Sequence, residues 1–161
     1  FRPWCDIAYY DLAAEREAGV VNLVFESDQA HHWSMDRWVL HRMFYLTHKD
    51  PVQLRKFYCA RAYREAADDM YKFYSTINKL FFEDPVQVDF DEADEHRLMQ
   101  FALWRKAYHG RGSAVDELFR YLAAAKAQVK NPLARKQVEE IAALFEKTIE
   151  ETKAARAKAG L

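Results

Sequence analysis

Four of the six histidines, His31, His32, His41 and His48, fall within one stretch of eighteen residues, so metal chemistry is the first use the side-chain types suggest. Asp28, His32 and Asp36 follow one another at a spacing of four, which on a helix stacks two carboxylates and an imidazole on one face. Glu92 and His96, with Glu95 between them, offer a second set of ligands. The candidate metal site is therefore Asp28, His32, Asp36, Glu92 and His96. Against it, His41 and His48 are two turns apart, ~10.5 Å along a helix axis, too far to share one ion. A carboxylate-bridged di-iron bundle needs Glu-x-x-His on two helices, and the sequence has none. Its one Asp-x-x-His, Asp28 to His31, sits at a helix start, where Asp caps and acidic residues complement the macrodipole. A non-covalent haem ligated by His41 or His96 is the related alternative, since no c-type attachment motif occurs. No cofactor is expected as the first reading.

Other catalytic chemistry finds less support. Cys5 and Cys59 form no CxxC, have no His close in sequence, and there is no Gly-x-Ser-x-Gly elbow. Cys59 falls on the apolar side of a helix, where a thiol behaves as a small hydrophobe. His109-Gly110-Arg111-Gly112-Ser113 is a turn between helices rather than a phosphate-cradling loop. The stretch Glu83 to Glu95 holds seven carboxylates and no basic residue, which reads as a solvated loop and helix start, or as a surface for a basic partner.

The aromatic supply is the least ordinary feature. Each buried Tyr or Trp must also find a hydrogen-bond partner, and aromatic enrichment of helix faces marks interfaces. Trp4, Trp33, Trp38, Tyr45, Tyr58, Trp104 and Tyr108 are the interface candidates on this ground.

These residues must be positioned by helices. With 4 Gly, 4 Pro and 50% hydrophobic residues in 161, the chain has too few breakers for a many-turned β-sandwich and too much apolar content for disorder. At this length a domain buries roughly 70% of its unfolded surface and needs no staple. The expected fold is one all-α domain over residues 1–161, of five to six helices in a bundle or irregular array around one long helix (about 51–82), with an extended N-terminal arm (1–5) and a C-terminal helical hairpin (113–159). A first helix capped by Asp6 ends at Gly19, which supplies the left-handed position. A short apolar connector, Val20 to Phe25, follows.

The second helix, Ser27 to about Lys49, is apolar on three sides: Met35, Val39, Met43 and Leu46 on one, Trp33, Leu40 and Phe44 on another, Trp38 and Tyr45 on a third. Only Ser34, Arg37, His41 and His48 leave it a polar strip. Asp50-Pro51-Val52-Gln53 reads as a helix start with a capping box. From there Cys59, Tyr63, Ala66, Met70, Phe73, Ile77 and Leu80 make an a/d seam, and the absence of a breaker before Phe82 predicts one rod of ~45 Å.

Asp84-Pro85-Val86-Gln87 repeats that start 34 residues on, the period of tetratricopeptide-type repeats, but their Trp/Leu-Gly/Tyr pattern is absent. A fourth helix spans about Asp91 to His109. Ser113 caps a fifth with the stripe Val115, Leu118, Phe119, Leu122 and Val129. Asn131-Pro132 opens a sixth with Val138, Ile141, Phe145, Thr148 and Thr152 at heptad spacing, after which little remains to bury.

Charge narrows the partners. Lys and Arg number 24 against 25 Asp and Glu, so the basic footprint of a nucleic-acid binder is missing. The longest uncharged apolar stretch, Ala18 to Phe25, is too short to span a membrane, leaving room only for peripheral association with a membrane complex. A chain opening on Phe1 reads as a processed organellar protein, mitochondrial by preference, or as a shortened one. The expected function is a non-catalytic accessory subunit of a larger protein assembly, docking through aromatic helix faces and terminal segments. The alternatives are a metal- or haem-holding helical-bundle enzyme or carrier, and a helical-repeat peptide-binding module.

Overall fold

In the computed structural model, which describes residues 4–19, 34–45, 50–83 and 113–158, every regular element is helical. Six α-helices occur among the described residues: α1 (Trp4–Glu17), α2 (Ser34–Tyr45), α3 (Pro51–Ala62), α4 (Ala67–Glu83), α5 (Ala114–Gln128) and α6 (Pro132–Lys158), with a 3₁₀ turn (Arg64–Ala66) between α3 and α4. The all-α class is the one the sequence predicts. None of these helices is long and apolar enough to cross a membrane.

The helix boundaries follow from capping chemistry. Asp50 accepts from the Gln53 backbone N–H at 2.7 Å, and Pro51 occupies the first helical position of α3, where no N–H is needed. At α5 the Ser113 hydroxyl accepts from the Asp116 N–H while the Asp116 carboxylate accepts from Ser113, a complete capping box. Asn131 caps α6 by accepting from the N–H groups of Leu133 and Ala134 at 3.0 and 3.1 Å. Gly19 ends α1 with φ +83°, the left-handed conformation expected of it. The helix nevertheless starts earlier than expected. Trp4 and Cys5 are already helical rather than part of an extended arm, and Asp6 lies inside the first turn instead of capping it.

The expectation of one uninterrupted helix over 51–82 is corrected. α3 stops at Ala62, Tyr63 takes φ −107° and ψ −6°, and Arg64 takes φ +52° before α4 begins. A left-handed non-Gly residue costs roughly 1–2 kcal/mol, and no Gly or Pro forces it here. Tertiary hydrogen bonds compensate. The bend sets the Glu65 carboxylate against the α5–α6 loop, where it accepts from the N–H groups of Lys130 and Asn131 at 3.0 and 3.3 Å. One turn on, Asp69 accepts from the Gln128 side chain at 2.8 Å. The apolar seam survives the bend: Cys59, Tyr63, Ala66, Met70, Phe73 and Ile77 are all buried. The longest unbroken helix among the described residues is α6, of 27 residues.

One contiguous core joins α2, α3, α4, α5 and α6. Its aromatic centre is Phe145, whose ring meets Phe73 edge-on at 5.2 Å and Phe119 at 5.1 Å, tying α6 to α4 and α5. Tyr9 and Leu12 attach α1 to the core's edge. Of the expected α5 stripe, Val115, Leu118, Leu122 and Val129 are buried and Phe119 is half-buried against the core, with Ala125 buried beside them. On α6 the seam is Val138, Ile141, Phe145, Ile149 and Thr152. Thr148, expected in that seam, is only half-buried and turns its hydroxyl back to the Leu144 carbonyl, so Ile149 fills the place instead. The expected elements at 20–25 and about 91–109, the second Asp-Pro cap at Asp84, and the ends of the second helix at 27–33 and 46–49 lie outside the described residues.

Candidate functional site

Residues four apart on neighbouring helices build an open groove. On α2, Trp38 and Arg42 share a face, while α3 contributes Phe57 with Arg61 and Tyr58 with Ala62. Gln137 of α6 closes one side. Its volume is about 480 Å³, within the range of ligand-sized sites, and it is open to solvent. Helix pairing brings the rings together: Trp38 stacks on Phe57 at 5.9 Å and 17° between planes, and meets Tyr58 at 5.6 Å. Each wall carries a cation on an aromatic face. The Arg42 guanidinium lies 5.2 Å from the Trp38 ring centre, and that of Arg61 lies 5.4 Å from Phe57. Phe57 remains 51% exposed, a large apolar ring left in water.

Behind the groove the aromatic series continues inward. Tyr58 meets Tyr63 edge-on at 6.0 Å, and Tyr63 stacks on Tyr74 of α4 at 6.3 Å. The two buried hydroxyls share one hydrogen bond at 2.8 Å, one donating and the other accepting, so each has a partner. Burial pushes both phenols well above their ordinary range, and the neighbouring Tyr58 acts in the same direction on each. Beside them, burial pushes the Cys59 thiol up to about 12, with Arg55 opposing only in part. At neutral pH Cys59, Tyr63 and Tyr74 therefore stay protonated and uncharged.

Of the interface candidates, Trp38 and Tyr58 come together in the groove. Trp4 lies on α1 and Tyr45 at the end of α2, while Trp33, Trp104 and Tyr108 lie outside the described residues. Of the candidate metal ligands, Asp28, His32, Glu92 and His96 lie outside them as well. Asp36 is in the first turn of α2, half-buried, and its charge contributes to raising the Tyr74 phenol. No group of three or more His, Cys, Asp or Glu residues that could hold a metal ion occurs among the described residues. His41, the described haem candidate, is exposed on α2.

Sequence reasoning did not single out Arg42, Phe57 and Arg61. A signal was present in two of the four aromatic-x-x-x-Arg pairs of the sequence, Trp38 with Arg42 and Phe57 with Arg61, which place a guanidinium one turn beyond a ring. No protein-family model, curated protein or solved structure matches the chain.

Proposed function

We propose that this chain is a non-catalytic accessory subunit of a larger protein assembly and that it engages its neighbour through the groove between α2 and α3. The observation that carries this reading is the juxtaposition of Trp38, half-exposed Phe57 and Tyr58 under two exposed arginines. Trp, Tyr and Arg are the residue types that dominate binding energy at protein interfaces. The chemistry behind the groove supports the non-catalytic part. The Cys59 thiol and the Tyr63 and Tyr74 phenols behind it are held protonated by burial, whereas a catalytic nucleophile or base must be accessible and tuned toward the working pH.

The test is the size of the particle that contains the native protein, with and without the groove. In a gentle extract the chain is expected to migrate in an assembly much larger than itself, and Trp38→Ala with Phe57→Ala is expected to release it while its circular dichroism is retained. A chain that runs as a free monomer from its native source, or an assembly unchanged by the double substitution, overturns the proposal.

A further inference from the structure

We infer that the occupant of the α2–α3 groove is an acidic segment of a partner protein that carries an aromatic or branched aliphatic anchor. This rests on the docking reading above and adds the chemistry of the partner. The first argument is charge. Across the described parts of α2 and α3 the basic side chains that reach the surface are Arg37, Arg42, Lys56 and Arg61, with Arg55 buried, and the single acidic one is Asp36. The whole chain has a formal net charge of −1, so basic residues are concentrated on the two helices that build the groove. No carboxylate lines the groove itself. An exposed single-sign site of this kind attracts the opposite charge and speeds encounter with it.

The second argument is geometry. Arg42 and Arg61 each lie over a ring of the groove, and a guanidinium can meet a carboxylate in the fork-to-fork pairing that Lys cannot make. Exposed ion pairs contribute little by themselves, about 0–1 kcal/mol. Affinity must therefore come from covering Phe57, Trp38 and Tyr58 with an apolar side chain, while carboxylates on either side of it supply selectivity. Charge alone or an apolar residue alone meets only half of the groove.

The experiment uses the full chain and a short fluorescent peptide with Phe between runs of Asp and Glu, read by anisotropy at low and at physiological salt. Saturable binding is expected, weakening with salt. It should weaken by about tenfold or more, a decade in Kd, when the acids are replaced by Asn and Gln, when the peptide's Phe becomes Ala, or when the protein carries Arg42→Glu with Arg61→Glu. Both arginines are exposed, so the fold is expected to survive; Arg42→Gln with Arg61→Gln serves if it does not. Equal binding of the amide peptide, unchanged affinity after charge reversal, or tighter binding of a single-stranded oligonucleotide at the same groove overturns the inference. Docking and its chemistry separate cleanly. If the Trp38→Ala and Phe57→Ala protein loses its native assembly while charge reversal leaves assembly and peptide binding intact, the docking reading stands and the acidic occupant falls.

Discussion

The Glu65 carboxylate accepts a hydrogen bond from the backbone N–H of Lys130 at 3.0 Å, joining the bend between α3 and α4 to the loop of the C-terminal hairpin. The N–H groups that Lys130 and Asn131 direct at it hold that carboxyl below its ordinary value near 4.5. Because the folded value is depressed, its contribution to stability is present above about pH 4.5 and is lost as the pH falls through the folded value. Glu65→Gln is expected to lower the urea midpoint at pH 6 and to narrow its gap to the parent protein as the pH falls toward 3. Asp116, lowered by the Ser113 hydroxyl, loses stability in the same direction in both proteins and so leaves the difference to Glu65.

Arg64 separates the bend from a continuous helix. At φ +52° a glycine relieves a left-handed strain of roughly 1–2 kcal/mol, offset in part by its greater unfolded-state freedom. Arg64→Gly is therefore expected to leave stability unchanged or raise it by up to about 1 kcal/mol, whereas Arg64→Val lowers it. In an unbroken helix the glycine would instead cost about 1 kcal/mol. Chemical denaturation of the two variants decides between these signs.

This residue also marks where the sequence stops being legible. Capping at Asp50, Ser113 and Asn131, the left-handed Gly19 and the apolar seam through Tyr63, Met70 and Phe73 are local or periodic features, and the sequence shows them. The bend at Arg64 is held by hydrogen bonds to residues some 65 positions away, so nothing in the local pattern of 51–82 reveals it. The groove is legible by halves. Trp38 and Tyr58 stand out as aromatics in excess of a core, but that Phe57 stacks on Trp38 depends on the way α2 pairs with α3.

The Tyr63 and Tyr74 hydroxyls form a closed buried pair. Removing one leaves the other unsatisfied, so Tyr63→Phe or Tyr74→Phe alone is expected to cost about 1–3 kcal/mol, and the double substitution less than the two together. A double-mutant cycle by urea denaturation measures the coupling; additivity would contradict the pair. Both phenols are raised, so their stabilisation holds below the ordinary phenol value near 10 and is lost as the pH rises above it.

Cys59 is 1% exposed, with its thiol raised to about 12. Iodoacetamide at pH 8 is expected to leave it unmodified in the folded protein and to alkylate it in urea, with mass spectrometry assigning the label to residue 59. Prompt labelling of the native protein would place an accessible thiolate behind the groove and remove one support for a non-catalytic chain.

The docking claim rests on which exposed apolar side chain meets a partner. Phe57 is 51% exposed in the groove, while Leu133 is 76% exposed at the start of α6. A photoreactive phenylalanine analogue placed at either position, followed by illumination in the native extract, compares the two surfaces directly. The groove account predicts a discrete, saturable protein crosslink from position 57 and none from position 133. A crosslink from 133 alone, or from neither position, would contradict it.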